Sequence, residues 1–490
     1  EKAGIGEYLY NQFAKSNFIE ENYADPKNID IEFPEQKRNL IYIYLESMET
    51  TYADENNGGA FTENYIPELT KLAQENEDFS GETTDLNGGH TVEGTTWTMA
   101  GMFAQTSGLP LKTSIDANDM DTQEHFFPGI TTLGDILKEQ GYSQTLLIGS
   151  KAEFGGRKVY FSEHGDYFLD DYDYAIENSK IPSDYKVWWG YEDEKLFGFA
   201  KEKLLELAQQ DNPFNLTMLT VDTHFEDGYV CDICPDTFGD NQYANVMACS
   251  SRQVKEFIDW VQQQDFAADT TIVISGDHQT MDSDFCEDVD KDYERRVYTT
   301  YINADAEKQT EKKRKYTIFD DFPTTLSAMG AQIEGDRLGL GTNLFSAKET
   351  LSEKEGVTAE YNKMLKKSKL MEKLSDIDEE EYRRKEEEKV SPTADVKIKK
   401  TGKDNQVLIK VENIEHLKKG LQSITAAVWK NEDQSDLQWV NLAVFENGIC
   451  KTKVDLSNYE PMQGEYNVHI YIIDGKGDAH NVAGTTFEIK

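Results

Sequence analysis

Four apolar runs of strand length punctuate the first two thirds of the chain, at 40–45, 145–148, 216–221 and 271–275. Segments with helical spacing of apolar positions lie between them, at 130–140, 193–209 and 243–264. Strands that are apolar almost throughout, rather than at alternate positions, belong to a sheet covered on both faces, and regular alternation with helices makes that sheet mostly parallel. The pattern predicts an α/β domain over 39–347, a mostly parallel sheet sandwiched by helices. Residues 1–38 are polar and weakly amphipathic and read as a lead-in or tether. The stretch 348–393 is dense in Lys and Glu, includes the run 378–389, shows no sizeable apolar face and predicts a solvated helical spacer. From 394 to 490 short alternating runs (396–400, 407–411, 423–429, 438–445, 466–473, 485–489), separated by turn signals such as Asp474-Gly475-Lys476-Gly477, predict an immunoglobulin-like β-sandwich as an accessory domain.

Composition narrows the function. Acidic residues outnumber basic ones 92 to 50, giving a net charge of −42. A nucleic-acid backbone would be repelled by such a surface, so nucleic acid is excluded as a partner. Hydrophobic residues make up 38% of the chain, enough to build packed domains rather than a disordered polymer. No run of about 18 apolar residues is present to span a bilayer, and no signal peptide is visible. The chain opens on Glu1, which fits the ectodomain of a membrane-anchored protein whose N-terminal anchor is missing from this sequence. Three of the five cysteines, Cys231, Cys234 and Cys249, fall within one short stretch, with Cys286 and Cys450 further on. Cys231 and Cys234 have the spacing of half a zinc site, but no second such pair or His pair accompanies them. One or two disulfides, with an odd thiol left over, are the expectation in an oxidising compartment.

The ends of the predicted strands carry the chemistry, since parallel sheets bind ligands beyond the carboxyl ends of their strands. The first strand runs into Glu46-Ser47, the second into Gly149-Ser150-Lys151, the third into Asp222-Thr223-His224 and the fourth into Gly276-Asp277-His278. One such residue is commonly a cap or turn former; four strand ends converging on one edge suggest a site. Two carboxylates, Glu46 and Asp277, with the imidazole of His278 suit Mn²⁺ or Zn²⁺ and leave a position for a reacting oxygen. The segment Gly94-Thr95-Thr96-Trp97-Thr98 offers that oxygen. An apolar helix is predicted from Trp97, so Thr95 lies near its N-terminus, where an anion is favoured. Thr95 or Thr96 could equally be the N-cap of that helix.

These segments resemble the sulfatase-like phosphoglycerol transferases of the alkaline phosphatase superfamily, among them lipoteichoic acid synthase and the enzyme that decorates periplasmic glucans with phosphoglycerol. The blocks that carry the resemblance are 39–47 (NLIYIYLES), 94–102 (GTTWTMAGM), 220–224 (TVDTH), 248–250 (ACS) and 274–278 (ISGDH), in family order. Trp189-Gly190 followed by 191–197, and 321–326 before 339–343, fit the wider family. The resemblance spans roughly 39–346. It implies one divalent ion, usually Mn²⁺ with Zn²⁺ or Mg²⁺ as alternatives, held by Glu46, Thr95, Asp277 and His278. Thr95 is then the nucleophile, selected by counting back from Gly108-Leu109-Pro110. Arg157 matches the phosphate-contacting arginine and His224 the active-site histidine. Gly155 stands where lipoteichoic acid synthase has a tryptophan, and a family histidine upstream has no counterpart; Ser150 and Lys151 are candidates for that space.

The implied reaction moves glycerol phosphate from phosphatidylglycerol to a cell-surface glycan at the extracellular face of the bacterial membrane, through a phosphoglycerol-threonine intermediate. A phosphoethanolamine transferase or a sulfatase-like phosphodiesterase is the nearest rival. A true sulfatase is disfavoured because no Cys or Ser followed by Pro and Arg lies near Thr95. His416, His469 and His480 in the predicted sandwich read as surface or structural residues.

Overall fold

The computed structural model describes residues 16–380, 382, 392–403, 405–417, 420–431, 433–444, 449–475 and 479–490. Its contacts divide it into two units, Glu1–Asp378 and Glu379–Lys490.

The first unit is built on a seven-stranded sheet. The strands are β1 (Asn39–Leu45), β2 (Gly88–Gly89), β3 (Ser143–Ile148), β4 (Phe168–Asp170), β5 (Phe214–Leu219), β6 (Thr270–Gly276) and β7 (Val297–Ile302). Their order across the sheet is β2-β7-β6-β1-β5-β3-β4. β6, β1, β5, β3 and β4 are parallel, and β7 adds an antiparallel edge on which the two-residue β2 is paired. All four predicted strands form at the sheet centre, and each is buried almost along its whole length. Apolar residues of β1 divide between two cores: Leu40, Tyr42 and Tyr44 face one, Ile41, Ile43 and Leu45 the other. That division is why the strand reads as a continuous apolar run. Three helices named from the sequence form as Leu133–Glu139, Asp193–Leu207 and Gln242–Val261. The antiparallel edge was not legible, because its strands are short or lie in a polar context.

Two boundaries differ from expectation. The lead-in is not a free tether where the structure describes it: the helix Phe18–Asn22 buries Phe18 and Ile19, and Ile31–Glu32 pairs with Gln332–Ile333. Its first fifteen residues lie outside the described residues. The charged stretch is likewise no solvated spacer up to Asp378. Leu351, Met364, Met371 and Leu374 are buried in the main core, and Glu353 pairs with the buried Arg314 at 3.0 Å. Most of the run 379–391 lies outside the described residues.

Among its described residues the second unit contains eight antiparallel strands in two sheets. One comprises Thr393–Lys400, Gln406–Glu415, Cys450–Asp455 and Ala443–Val444; the other Gln438–Asn441, Leu421–Trp429, Gly464–Asp474 and Ala479–Ile489. Alternate residues of both sheets, such as Val407, Ile409 and Val411 against Ile424, Ala426 and Val428, form one core, the two-sheet sandwich that period-two alternation predicts. Residues 476–478, part of the turn expected from Asp474-Gly475-Lys476-Gly477, lie outside the described residues.

Candidate active site

Sheet register brings the site together. Leu45 and Gly276 are partners on the adjacent parallel strands β1 and β6, so the residues that follow them, Glu46 and Asp277, leave the sheet side by side. The Asp277 amide donates to the Leu45 carbonyl at 3.1 Å and holds the two chains together past the last ladder pair. Asp277 Oδ1 then accepts from the amides of Ser47 (2.8 Å) and His278 (2.7 Å). These bonds fix the carboxylate while its other oxygen, Oδ2, is buried without a hydrogen-bond partner.

His278 is fully buried. Its Nδ1 lies 2.6 Å from the Gln279 carbonyl, a contact only an Nδ1–H can make, and this turns Nε2 toward the carboxylates. Nε2 has no hydrogen-bond partner, yet stands 3.3 Å from Glu46 Oε1 and 3.6 Å from Asp277 Oδ2. Glu46, Asp277 and His278 thus converge in a buried pocket with two orphaned donor atoms. Burial would raise the Glu46 carboxyl, but His278 outweighs it and holds Glu46 down at about 2. Burial and the Glu46 charge push Asp277 well above the usual carboxylate range. On His278 burial opposes the charge, and Asp277 and Glu46 override it to lift the imidazole to about 10. Two buried carboxylates need a positive charge, and a divalent ion would satisfy all three donors at once. The donor set therefore fits a divalent cation.

The helix Thr98–Ser107 (α1) presents its N-terminus to this group. Its third turnward neighbour of Thr98, Gly101, makes the approach possible: a Cβ there would stand 2.0 Å from the Asp277 carbonyl oxygen. Gln105, which accepts from the Tyr42 hydroxyl (2.8 Å), donates to the Gly276 carbonyl (2.9 Å) and locks the helix to the sheet edge. At the first position of α1, Thr98 Oγ1 donates to Glu46 Oε2 at 3.2 Å. Glu46 and Thr98 line an open cavity with Ser150, Phe154, Arg157, Trp189 and His224. Arg157 opens the helix Arg157–Glu163 and is buried; its Nη2 donates to Ser150 Oγ (3.2 Å) and the Lys151 carbonyl (2.9 Å), while its Nε has no partner. Burial lowers the Arg157 guanidinium to about 10 against the opposing pull of Glu46 and Asp171, which leaves it a cation. His224 Nδ1 lies 2.6 Å from the Phe225 carbonyl, and its ring packs on Trp189 with centroids 5.0 Å apart.

The family model described as Sulfatase matches residues 38–331. The chain belongs to the sulfatase family. A second family model, the GBS Bsp-like repeat, matches residues 396–487. Phosphoglycerol transferase I of Salmonella choleraesuis (strain SC-B67) is 33% identical over 330 residues, which is 65% of this chain and 40% of that protein. The same enzyme of Salmonella typhi is 33% identical over 332 residues, with the same coverage. The chain thus spans about two fifths of the length of these curated relatives. Among solved structures, the lipoteichoic acid synthase from Listeria monocytogenes is similar at 16% identity and a TM-score of 0.49, over 68% of this chain and 82% of the other. A protein in the alkaline phosphatase superfamily from Vibrio parahaemolyticus is similar at 17% identity and a TM-score of 0.46, over 90% and 88%.

In this sulfatase-family chain the sequence-predicted residues do not all meet. Glu46, Asp277 and His278 form one group, and Arg157, His224 and Ser150 line the cavity beside it. Thr95 does not face them. Its hydroxyl is buried against the Val92 backbone, donating to the Val92 carbonyl and accepting from the Val92 amide, both at 2.8 Å. The reason is where the helix begins. Trp97, extended at φ −145° and ψ 164°, is the cap residue, so Thr98 and not Thr95 occupies the first helical position. Lys151 turns outward to pair with Asp173 at 2.8 Å; only its carbonyl serves the site, as an acceptor for Arg157. Asp222 is buried beside Asp193 and does not line the cavity; burial and Asp193 push its carboxyl up to about 10.

Thr98 and Trp189 are among the cavity residues that the sequence reading of the site missed. Trp189 is 42% exposed and stands between His224 and Phe154, so with Gly155 in place of an aromatic the cavity still has an indole wall. The signal was present: two adjacent tryptophans in a polar loop have no core to fill.

The expected disulfides do not form. All five cysteines are free, although Cys231, Cys234 and Cys249 converge. No helix among the described residues is long and apolar enough to cross a membrane.

Proposed function

We propose that this chain is the extracellular catalytic part of a metal-dependent phosphoglycerol transferase that uses Thr98 as its nucleophile. The observation that carries the reading is the Thr98 hydroxyl at 3.2 Å from Glu46, on a helix N-terminus that faces the Glu46–Asp277–His278 group and Arg157. Relatedness to phosphoglycerol transferase I supports phosphoglycerol as the group transferred; phosphatidylglycerol as donor, a cell-surface glycan as acceptor and the outer face of the membrane as the place are taken from what the resemblance of the sequence blocks implies.

Glu46, Asp277 and His278 would hold the ion, Mn²⁺ by the hard character of two carboxylates, which when bound lowers the pKa of a nearby hydroxyl and offsets phosphoryl charge. The chain's own groups do the rest. Thr98 Oγ bonds to phosphorus as the bond from phosphorus to the diacylglycerol oxygen breaks. The threonine proton passes to that leaving oxygen, with His224 at the cavity wall placed to carry it through Nε2. Arg157 faces the non-bridging oxygens, and the amides at the start of α1 add their positive dipole. In the second half an acceptor hydroxyl bonds to phosphorus, the Thr98–phosphorus bond breaks and Thr98 regains a proton.

Incubating the protein and Mn²⁺ with headgroup-labelled phosphatidylglycerol, then mapping peptides by mass, tests this. One phosphoglycerol group on Thr98 is expected. Label on Thr95 would reject the nucleophile, and labelling only from phosphatidylethanolamine would move the enzyme to the phosphoethanolamine class.

A further inference from the structure

The loop that leaves His224 and the long helix Gln242–Val261 (α2) meet at sulfur. Cys231 and Cys234 come from the loop and Cys249 from the helix. Cys231 Sγ lies 3.4 Å from Cys234 Sγ and 3.7 Å from Cys249 Sγ, and all three sulfurs lie within 4.8 Å of one another. A disulfide needs its sulfurs at about 2.05 Å. Thiolates that share a tetrahedral zinc, each about 2.3 Å from it, stand about 3.8 Å apart. The observed separations match the second geometry. A disulfide would also use two sulfurs and leave no reason for a third to be held against both.

The surroundings suit thiolates. The Cys234 amide donates to the Cys231 carbonyl at 3.1 Å, a turn that aims both side chains to one side. Gln253, buried one helical turn beyond Cys249, directs its Nε2–H at Cys249 Sγ across 3.4 Å. An N–H aimed at sulfur favours the anionic form and orients the ligand. Arg252 on the same helix donates to the Ile233 carbonyl, tying the loop down between its two cysteines.

We infer that Cys231, Cys234 and Cys249 hold one thiolate-preferring divalent ion, zinc, separate from the ion of the active site. No further His, Cys, Asp or Glu joins them among the described residues, so water completes the coordination. Ligand softness keeps the two sites apart: three sulfurs select zinc, and two carboxylates with one imidazole take the harder ion. The site clips the loop whose first residue, His224, walls the catalytic cavity, and so acts as a positioning device.

The test uses the full chain carrying Glu46→Gln and Asp277→Asn, which disables the active-site group and leaves the sulfurs. This protein should retain about one zinc per chain. Loaded with Co²⁺, it should show a near-ultraviolet sulfur-to-cobalt charge-transfer band. Adding Cys249→Ser should abolish both; Cys234→Ser, at the half-exposed ligand, reads the same if the first variant fails to fold. A disulfide joining any two of these cysteines in the unreduced protein, or a cobalt spectrum without the sulfur band, would overturn the inference. Neither result bears on Thr98 labelling, so this proposal and the catalytic one fail separately.

Discussion

Thr98 Oγ1 reaches Glu46 Oε2 across 3.2 Å, whereas three residues earlier the Thr95 hydroxyl closes back on Val92. The two threonines therefore separate by experiment. Thr98→Ala should lower turnover by at least about 10³-fold, as loss of a nucleophile does, with the melting temperature nearly unchanged. Thr95→Ala should keep turnover and lose about 1 kcal/mol of stability from its two backbone hydrogen bonds. Turnover assays beside denaturant melts read both, and a silent Thr98→Ala would remove it from the reaction.

Thr95 is selected by counting back from Gly108-Leu109-Pro110 along the family blocks, and the helix start offers no local check on that count. Ser, Thr, Asp and Asn usually cap helices, and a threonine doublet before an apolar run invites that reading. Here the cap is Trp97, which makes no side-chain cap bond, so local chemistry held no signal for the true start. Gly101 did hold one: a glycine three residues beyond Thr98 marks the turn that must press against the Asp277 backbone. Glu46 and Asp277-His278 were legible because their strands are apolar without interruption and end abruptly. Cys231, Cys234 and Cys249 stood together in sequence, but that Cys249 turns toward the pair depends on the packing of α2. The 348–378 stretch read as solvated because charge patterning does not reveal which side chains turn inward.

Cation binding should be visible without catalysis. Asp277 Oδ2 and His278 Nε2 are orphaned in the buried group, so an ion that binds only the folded chain stabilises it by mass action, about 2.7 kcal/mol at a hundredfold excess over Kd. Mn²⁺ should raise the melting temperature of the wild-type chain and a chelator should reverse it, together with turnover. Asp277→Asn should abolish most of that shift. Chelator-resistant turnover would refute the metal assignment.

Arg157 sits at the cavity wall with Nε unpaired and Nη2 held by Ser150 and Lys151. Arg157→Lys keeps a charge but loses the planar fork, and should lower kcat/KM by about 10²-fold. The Mn²⁺-induced melting shift should persist, because the change touches no ligand of the ion. A parallel loss of that shift would make the residue structural rather than phosphate-directed.

Glu353 tests the reassigned boundary. Its carboxylate pairs with Arg314, and both side chains are buried. Glu353→Ala leaves the guanidinium buried with its carbonyl partners alone and should cost about 3 kcal/mol. A solvated spacer would give no measurable change in a urea melt.

His164 gives the pH dependence. It is buried, with Nδ1 2.9 Å from Asp135 Oδ2 and Nε2 2.8 Å from the Phe126 carbonyl, so both nitrogens face acceptors and both bonds are made only by the imidazolium. Burial alone would lower its pKa, but the Asp135 hydrogen bond and charge outweigh burial and raise it above the ordinary histidine value. A group that binds its proton more tightly in the folded chain contributes fully below the unfolded value of about 6.5. That contribution fades as pH rises from there through the folded value. Stability should therefore fall on the alkaline side of neutrality. His164→Gln should be less stable at pH 6 and should flatten this part of the profile. Urea melts from pH 5.5 to 9 on both proteins check it, and an unchanged slope in His164→Gln would place the titrating group elsewhere.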